Sequence, residues 1–335
     1  MNTHDKIGIL LLNLGGPGRL EDVRPFLINL FSDRQIIRLG PAFLQKTIAR
    51  IIAHRRAPKS MANYQRIGGG SPILKKTEEQ ARALEQALHD DGNFVVRPCM
   101  RYWHPLAAEA LREMATAQVK EIITLPLYPH YSIATTGSSM TDLHRTNEQL
   151  GLNIPIREIH SWPVEPLYIA CLAARIEEGM SHFQGEPVQL IYSAHSLPVQ
   201  FITEGDPYVD DLMASIRAIE QLTGVQGTLG YQSRSGPVAW LGPAMPEVIE
   251  KFAAQGCRNM LVVPLSFVSD HVETLFEIDI QYREMAENLG IHFESTRALN
   301  ADPLFIGALR NLVLSSLAAK DEKTTAAGAP ENFAS

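Results

Sequence analysis

The stretch VVPLSFVSDHVETLFEID (Val262–Asp279) places a dense group of ionisable side chains directly after an apolar run. Its first residues are typical of a buried strand, and Pro264 interrupts the run. Side chains that bind protons or metal ions follow it closely: Asp270, His271, Glu273, Glu277 and Asp279. We therefore expect a strand that brings these groups to the start of a following helix.

The stretch LIYSAHSLP (Leu190–Pro198) is a second apolar run, and it ends near a histidine, His195. A single histidine is often a hydrogen-bonded core residue, but its place at the end of a strand, before a turn that ends at Pro198, favours a functional role as much as a structural one. Ser193 or Ser196 could form a nucleophilic pair with it, but the chain has no G-x-S-x-G motif, which disfavours a hydrolase. Because both runs lead to ionisable groups, we expect a cleft with His195 on one wall and Glu273 on the other.

The composition is that of an ordinary globular protein. Of 335 residues, 45% are hydrophobic and 20% charged, and the net charge of −7 gives no general basic field that would attract nucleic acid. No apolar run approaches the roughly 20 residues that a membrane span needs. Ile7–Leu14 lacks a basic leader, so it is interpreted as a strand and not as a signal peptide. Cys99, Cys171 and Cys257 follow no metal-type pattern and fit a reducing compartment, so we expect the cytoplasm.

Short apolar runs alternate with amphipathic segments along the chain. This alternation predicts an α/β fold in which helices flank a parallel sheet on both faces. The predicted strands are Ile7–Leu14, Phe94–Met100, Glu121–Leu127, Val188–Ser193, Gly227–Gln232 and Met260–Leu265. The predicted helices include Thr77–His89, Pro105–Ala117, Pro166–His182, Tyr208–Thr223 and Pro243–Gln255. In such folds ligands bind beyond the carboxyl ends of the strands, where Asn13, Tyr128, His195 and Glu273 would lie.

A faint internal repeat indicates two similar halves. ITLPLYPHYS (Ile123–Ser132) and LVVPLSFVSD (Leu261–Asp270) share a strand, a Pro-Leu pair and a polar loop. The length of the chain also favours two domains. We place an N-terminal domain at 1–160 and a C-terminal domain at 161–320, with a last helix that can pack back on the first domain. Residues 321–335 are polar and Ala-rich and are expected to form a disordered tail.

The first half contains extra length before Phe94, and part of it predicts a basic amphipathic helix. Apolar residues at helical spacing are Phe43, Leu44, Ile48, Ile51 and Ile52. Basic residues on the other face are Lys46, Arg50, His54, Arg55 and Arg56. Such a helix can lie on a membrane or close over an apolar ligand, but an ordinary surface helix has the same pattern.

Two glycine-rich segments, Gly15–Gly18 and Gly68–Pro72, match neither the dinucleotide fingerprint nor the P-loop. Both are interpreted as tight turns. The first could also cradle a phosphate, and Ser71 could cap the following helix or bind an anion. A nucleotide-binding function is therefore disfavoured.

The acidic cluster favours the handling of protons and metal ions. If a helix begins near Ser269, Glu273 and Glu277 share one face at i, i+4, where two carboxylates repel unless a cation or a proton lies between them. A solvated helix face has the same spacing, but the neighbouring face is apolar. Oxygen and nitrogen ligands without thiolates suit a divalent metal that is held transiently, and they do not resemble a closed structural zinc site.

Aromatic residues gather near the proposed cleft: Trp103, Tyr128, Tyr131, Trp240 and Phe267. They can be ordinary core residues, or they can line a flat slot for a planar ligand. Basic side chains that could pair with carboxylates at its rim are Arg55, Arg56, Lys59 and Arg101.

Ordered blocks of this sequence resemble ferrochelatases, the enzymes that insert ferrous iron into a porphyrin. The resemblance extends from Ile7 to about Leu317. Its blocks are LLNLGGP (Leu11–Pro17), YQRIGGGSPI (Tyr64–Ile73), MRYWHP (Met100–Pro105), PLYPHYSIATTGSS (Pro126–Ser139), YSAHSLP (Tyr192–Pro198), GDPY (Gly205–Tyr208), QSRSGPVAWLGP (Gln232–Pro243) and SDHVETLFEID (Ser269–Asp279). The resemblance implies two Rossmann-like domains, each a parallel sheet flanked by helices, with the active-site cleft between them.

The resemblance also implies roles for individual residues. His195 and Glu273 would face one another across the macrocycle as the catalytic and metal-binding pair, and which of them accepts the pyrrole protons is left open. Supporting residues would be Asp270, His271 and Glu277. Contacts to the ring and its propionates would come from Leu14, Arg56, Lys59, Tyr64, Ser71, Arg101, Tyr128, Ser233, Trp240 and Phe267. An apolar lip would contain Leu30, Phe31 and Ile36.

The resemblance implies a substrate and partners as well. Ferrous iron would be a substrate and not a resident cofactor, and the HSLP and SDHVETLFEID blocks favour protoporphyrin over coproporphyrin. A cobalt chelatase of another tetrapyrrole and a non-catalytic porphyrin-binding protein are the alternatives. The lip allows peripheral membrane contact, and the oxidase that precedes this step is an expected transient partner. Nucleic acid is not expected to bind.

Two positions depart from the pattern of many ferrochelatases. Some relatives carry an iron–sulfur cluster, but Ile133 occupies one ligand position and no cysteine follows Cys257, so we expect no cluster. The acidic ladder of many relatives continues for one more turn, to a position that is Gln281 here. A long carboxylate path for the metal is therefore not expected.

Overall fold

The computed structural model describes residues 5–38, 40–234, 236 and 238–327. Within these ranges, eight strands form two separate four-stranded parallel sheets, and helices pack around both of them. The predicted fold of two halves, each with a parallel sheet and flanking helices, is therefore confirmed.

The first sheet contains strands β1 (Ile7–Asn13), β2 (Phe94–Met100), β3 (Glu121–Pro126) and β4 (Ile156–Glu158) in the order β2-β1-β3-β4. The helices of this half are α1 (Val23–Ser32), α2 (Gln45–Arg66), α3 (Ile73–Ala87), α4 (Ala107–Thr116) and α5 (Ser138–Gln149), and a π-type turn at Ile133–Gly137 precedes α5. β1 pairs with a strand on each side and is buried along its whole length. This accounts for its unbroken apolar pattern.

The second sheet contains strands β5 (Gln189–His195), β6 (Gly227–Gln232), β7 (Asn259–Pro264) and β8 (His292–Ser295) in the order β6-β5-β7-β8. The helices of this half are α6 (Pro166–Ser181), α7 (Val199–Thr203), α8 (Tyr208–Thr223), α9 (Met245–Ala254), α10 (Arg283–Asn288) and α11 (Pro303–Ala327). A π-type helix, Glu273–Tyr282, leads into α10. Both sheets thus use the same strand order, which agrees with the internal repeat.

All six predicted strands occur, whereas the sequence patterns do not predict β4 and β8. These two are edge strands of three and four residues. An apolar pattern cannot be recognised in segments that are this short.

The two halves share one hydrophobic core. Buried residues of both sheets, such as Leu11 and Tyr192, belong to the same cluster. The last helix, α11, contacts both halves, and its Arg310 forms an ion pair with Asp91 of the first half at 2.6 Å. The halves are therefore held together by buried apolar surface as well as by surface ion pairs.

The last helix extends further than the sequence predicts. α11 continues through Ala327, so it includes residues 321–327 of the expected tail. The rest of the predicted tail, 328–335, lies outside the described residues.

The two glycine-rich segments pack against each other as turns. The backbone N–H of Ser71 donates to the carbonyl of Pro17 at 2.7 Å. A Cβ atom on Gly70 would lie 2.1 Å from the carbonyl oxygen of Gly18, so this contact requires glycine. The geometry fits the interpretation of both segments as turns.

Candidate active site

His195 is the last residue of β5, and its backbone is held on both sides. Its N–H donates to Ser266 Oγ at 3.0 Å, and its carbonyl accepts a hydrogen bond from the Tyr208 hydroxyl at 3.0 Å. The side chain of His195 is 33% exposed. The backbone of His195 is therefore fixed, and its imidazole remains accessible to a ligand.

Glu273 begins the π-type helix, and its carboxylate contacts the imidazole directly. Glu273 Oε2 lies 2.8 Å from His195 Nδ1, and the Glu273 side chain is 20% exposed. The sequence spacing predicts an ordinary α-helix from near Ser269, whereas the structure has π-type hydrogen bonding from Glu273 onward. Such i, i+5 segments are rare and occur frequently at functional sites.

The expectation that His195 and Glu273 occupy opposite walls of the cleft is wrong. A contact of 2.8 Å leaves no room for a macrocycle between them. The reason lies in the topology, because β5 and β7 are neighbours in the sheet and the groups that follow them meet at one edge. A planar ligand would therefore meet the two groups as one pair.

The pair stabilises opposite charges on its two members. Burial by itself would lower the pKa of His195, but the carboxylates of Glu273 and then Glu277 raise it above the ordinary histidine value. Burial would raise the pKa of Glu273, but His195, with a smaller effect of His271, holds it well below its usual range. Glu273 is therefore an anion at neutral pH, and His195 is a stronger base than a free imidazole.

Glu277 lies further along the same helix and contacts the end of β6. Its Oε2 accepts hydrogen bonds from Ser233 Oγ at 2.6 Å and from Gln232 Nε2 at 3.3 Å. Burial and the neighbouring Glu273 raise the pKa of Glu277, and the two hydrogen bonds oppose this rise. Two carboxylates whose pKa values move in opposite directions are suited to separate acid and base roles.

His271 presents an unpaired ring nitrogen beside the pair. Its Nδ1 lies 2.9 Å from the carbonyl of Ser269, which can only accept, so Nδ1 carries the hydrogen in the neutral ring. Its Nε2 is buried without a hydrogen-bond partner among the described residues and lies 3.9 Å from Glu273 Oε2. The Phe267 ring packs against the imidazole at a centroid distance of 4.4 Å and an interplanar angle of 55°. The structure thus brings His271 and Phe267 to the pair.

Asp270 faces a different space. Together with Thr274 and Asp279 it lines a polar cavity of about 460 Å³, and neither His195 nor Glu273 lines that cavity. Its carboxylate accepts a hydrogen bond from Asn300 Nδ2 at 2.8 Å. The structure therefore separates Asp270 from the pair.

The residues predicted to contact a flat ring follow four different strands. Leu14 and Tyr128 follow β1 and β3 in the first half, and Trp240 and Phe267 follow β6 and β7 in the second. Leu14, Trp240 and Phe267 are half-buried, whereas Tyr128 is buried. All four lie on segments that leave the carboxyl ends of strands, and Trp240 and Phe267 do so in the second sheet, at the edge that also carries the pair.

Of three predicted polar contacts, Tyr64 and Ser233 lie near the carboxylates of the site and Ser71 does not contact them. Tyr64 is buried at the end of α2, and its pKa is raised first by burial and then by Glu273, which places its hydroxyl within electrostatic reach of that carboxylate. Ser233 donates to Glu277, as described above. Ser71 instead lies at the start of α3, where its Oγ accepts a weak hydrogen bond from the N–H of Ile73 at 3.4 Å.

Arg101 is already paired with protein carboxylates. Its guanidinium lies 2.7 Å from Asp33 and 3.4 Å from Asp142, and its Nε donates to Ser138 Oγ at 2.7 Å. Asp33 also accepts hydrogen bonds from the hydroxyls of Ser138 and Tyr102. Burial would raise the pKa of Asp33, but Ser138 and then Arg101 outweigh it and lower the pKa. In this structure Arg101 fixes the end of α1 to the rest of the first half.

The predicted lip forms one unit with α2. Phe31 is buried in a hydrophobic cluster between α1 and α2, and Leu30 and Ile36 pack against it. The guanidinium of Arg56 lies 5.6 Å from the centre of the Phe31 ring, and Lys59 is exposed on the same helix. Within the described ranges, no helix is long and apolar enough to cross a membrane.

Sequence reasoning misses four residues that hold the site together. Asp33, Tyr208, Gln232 and Ser266 are buried or half-buried and make the hydrogen bonds given above. Tyr208 and Gln232 fall inside blocks that carry the family resemblance, which is a usable signal. Asp33 and Ser266 lie outside these blocks and carry no such signal.

The described residues contain no group of three or more histidine, cysteine, aspartate or glutamate side chains arranged to hold a metal ion.

The chain was compared with known proteins. It matches the family model Ferrochelatase over residues 6–317. It is 54% identical to the ferrochelatase of Desulfotalea psychrophila over 309 residues, which are 92% of this chain and 97% of that protein. It is 51% identical to the ferrochelatase of Geotalea uraniireducens, with 92% and 97% of the two chains covered. The ferrochelatase of Cyanothece sp. is 46% identical, with coverage of 95% and 84%.

A solved structure agrees with the architecture. SirB from Bacillus subtilis with Fe³⁺ superimposes with a TM-score of 0.54 over 74% of this chain and 92% of that chain. The sequence identity is 14%, so this likeness shows the fold alone. The match to the family model and the relatives of about half identity decide the family. The chain belongs to the ferrochelatase family of metal-inserting enzymes.

Proposed function

We propose that this protein inserts ferrous iron into protoporphyrin with release of two protons, and so forms protohaem in haem biosynthesis. The observation that carries the proposal is the direct contact of His195 with Glu273, at 2.8 Å, on an edge where both side chains are partly exposed. Membership of the ferrochelatase family supports this reaction.

The pair is suited to remove the pyrrole protons. A free porphyrin carries two N–H protons that must leave as the metal enters. Glu273 faces Nδ1 of His195, which leaves Nε2 for the substrate and makes the imidazole a stronger base. Positioned general-base groups typically contribute ~10²–10⁴-fold each. Glu277, whose pKa is raised, is the proposed next carrier of a proton.

The same two groups are the proposed protein ligands of the iron before it enters the ring, and passage of the iron to the pyrrole nitrogens would free them to accept the protons. Imidazole and carboxylate are both common ligands of divalent iron. The pyrrole nitrogens of the substrate would supply further ligands as the iron enters the ring. His271 Nε2, buried and unpaired beside Glu273, is the proposed additional base.

The proposal is tested by replacing His195 with alanine. We expect iron insertion to be lost, whereas binding of protoporphyrin, followed by fluorescence quenching, is kept. Glu273→Gln should also be severely impaired. His182→Ala, at an exposed position on the end of α6, is the matched control and should insert iron at the normal rate. Near-normal turnover by His195→Ala would refute the proposed centre.

The identity of the substrates is tested with a panel. Anaerobic incubation with Fe²⁺ and either protoporphyrin or coproporphyrin, followed by absorbance, should give a higher kcat/KM for protoporphyrin. A preference for coproporphyrin, or for Co²⁺ and another tetrapyrrole, would support the alternative chelatase functions. Binding of porphyrin without insertion of any metal would support a non-catalytic binding protein.

We also propose that α2 and the segment before it meet an anionic membrane surface. α2 contains no acidic residue although the chain carries a net charge of −7, and it exposes Lys46, Arg50, Arg55, Arg56 and Lys59. Phe43 is 82% exposed and Ile51 is 50% exposed beside these cations. Apolar and basic side chains together are what an anionic bilayer binds.

Sedimentation with vesicles tests this membrane contact. The protein should sediment with phosphatidylglycerol vesicles more than with phosphatidylcholine vesicles, and the double variant Arg50→Glu/Arg55→Glu should lose the difference. Lys120→Glu, a change at an exposed position outside α2, should keep it. Equal sedimentation of both variants would contradict the proposal.

The remaining proposals concern location, partner and cofactor. The three cysteines are free thiols, which fits a reducing compartment and supports the cytoplasm. A transient contact with the oxidase that supplies the poorly soluble porphyrin is also proposed. Iron is proposed to be a substrate only, without a resident iron–sulfur cluster, because Ile133 stands at one of the ligand positions that the resemblance implies.

A further inference from the structure

We infer that Gln232 is a positioning residue of the active site, whose side-chain amide joins the strand of His195 to the helix of Glu273 and Glu277. This inference rests on the proposed function and assigns a role to a residue that does not touch the substrate. Gln232 is the last residue of β6, and its side chain is 1% exposed.

The amide of Gln232 connects both sides of the site. Its Oε1 accepts a hydrogen bond from the Ser193 hydroxyl at 2.6 Å, and Ser193 lies on β5 two residues before His195. Its Nε2 donates to the carbonyl of Glu273 at 3.1 Å and to Glu277 Oε2 at 3.3 Å. Both partners of Nε2 are acceptors, so the orientation of the amide is determined by its surroundings.

The backbone of Gln232 adds a second connection. Gln232 and His195 are register partners in the parallel pair of β6 and β5, and the carbonyl of Gln232 accepts from the N–H of Ser196 at 2.9 Å. The next residue, Ser233, has a φ of +65°, a left-handed conformation that is uncommon outside glycine. This conformation occurs at the point where Ser233 also donates to Glu277. One short segment therefore contacts the chain around both members of the pair.

The burial of Gln232 limits what it can do. An amide that is 1% exposed cannot reach a porphyrin, so any effect on the reaction must act through its neighbours. Its NH₂ group stabilises the anion of Glu277 and holds the backbone of Glu273 at a defined distance from β5. A misplacement of reacting groups by about 1 Å can reduce a rate by about 100-fold. Loss of the amide that holds both elements is thus expected to lower kcat and to leave the binding of porphyrin unchanged.

The inference is tested with Gln232→Glu, which keeps the shape and the acceptor for Ser193 but replaces the NH₂ donor with a carboxylate. Because a buried charge can prevent folding, Gln232→Met is the second variant, with similar length and no charge. Iron insertion into protoporphyrin, measured anaerobically by absorbance, should show kcat reduced by about 10- to 100-fold and KM for protoporphyrin changed by less than about 2-fold. Circular dichroism should show both variants folded.

Gln189→Glu is the matched control, since it makes the same chemical change at the other end of β5, away from the site. It should leave kcat and KM at the wild-type values. The inference is overturned if a folded Gln232 variant has wild-type kcat, or if its KM for protoporphyrin rises in step with the fall in kcat. It is also overturned if neither variant folds, because Gln232 would then serve the fold alone. A wild-type protein that inserts no iron would refute the proposed function itself. An active wild type with equally active Gln232 variants would refute only this inference.

Discussion

Replacing Glu273 with glutamine should lower the pKa of His195, and this effect can be measured without any turnover. In the wild type, burial would lower the pKa of His195, and the Glu273 carboxylate is the largest opposing influence. The carboxylate contacts Nδ1 at 2.8 Å, where it stabilises the protonated imidazole. Glutamine has nearly the same shape but no charge, so the variant removes this stabilisation with little change in packing.

The size of the effect follows from the contact. A hydrogen bond to a charged partner contributes about 1.5–3 kcal/mol, which corresponds to about one to two pH units. The His195 and Glu273 side chains are 33% and 20% exposed, so water screens part of this interaction. We therefore expect the pKa of His195 to fall by about one unit in Glu273→Gln. Because the neutral imidazole then persists to lower pH, the acid limb of any remaining activity should also move to lower pH.

The measurement is an NMR titration of protein labelled with ¹³C in its histidine rings. The His195 signal is identified by its absence from His195→Gln, and its midpoint is compared between wild type and Glu273→Gln. Glu109→Gln is the control, because Glu109 contacts His104 at 2.8 Å on an exposed surface and should leave the midpoint of His195 unchanged. An unchanged or higher midpoint of His195 in Glu273→Gln would refute the electrostatic description of the pair.

Three further substitutions test contacts that shape the site. Asp33→Asn removes the ion pair with Arg101. Because the Asp33 and Arg101 side chains are only 8% and 16% exposed, the change should lower the free energy of unfolding by about 3 kcal/mol. A circular dichroism melt should show this as a fall of Tm by about 4 °C. Gly70→Ala should destabilise the protein by more than about 2 kcal/mol in urea unfolding, because its Cβ would lie 2.1 Å from the oxygen of Gly18. Trp162→Phe removes the indole N–H that donates to the carbonyl of Pro126 in β3. It should lower the free energy of unfolding in urea by about 1–3 kcal/mol. An unchanged stability would contradict the reasoning in each case.

The strands that carry the site could be predicted because they are buried on both faces. β1 and β7 are buried at every position, and such strands appear in a sequence as unbroken apolar runs. The edge strands β4 and β8 could not be predicted, since three or four residues carry no periodic pattern. The π-type hydrogen bonding from Glu273 could not be predicted either, because residues four apart lie on nearly the same face of an α-helix and of a π-helix.

Contacts between distant residues were beyond sequence reasoning. The resemblance implies that Arg101 contacts the substrate, and nothing in the sequence indicates that Asp33, 68 residues away, binds its guanidinium. The contact of His195 with Glu273 joins residues 78 apart, and it depends on the order of the strands in the sheet. A pattern of apolar residues indicates that a strand exists, but it does not indicate which strand lies beside it.

The order of the strands explains why the reactive groups collect where they do. In β6-β5-β7-β8, the chain leaves β5 in one direction to form β6 and later returns on the other side of β5 to form β7. The connections therefore diverge between β5 and β7, and a crevice opens there beyond the ends of the strands. His195 ends β5, and Glu273 follows β7, so both lie at this crevice.

The first sheet has the same order, and its corresponding crevice lies between β1 and β3, the strands that Leu14 and Tyr128 follow. The two halves meet on this side: Arg66 of α2 pairs with Glu284, and its guanidinium lies 5.6 Å from the centre of the Phe276 ring on the π-type helix. A planar substrate between the halves would thus touch apolar residues from one crevice and the acid–base pair from the other. On this view the repeated strand order creates the slot for the substrate. The second half alone supplies the acid–base pair, and His195 and Glu273 therefore lie together and not on opposite walls.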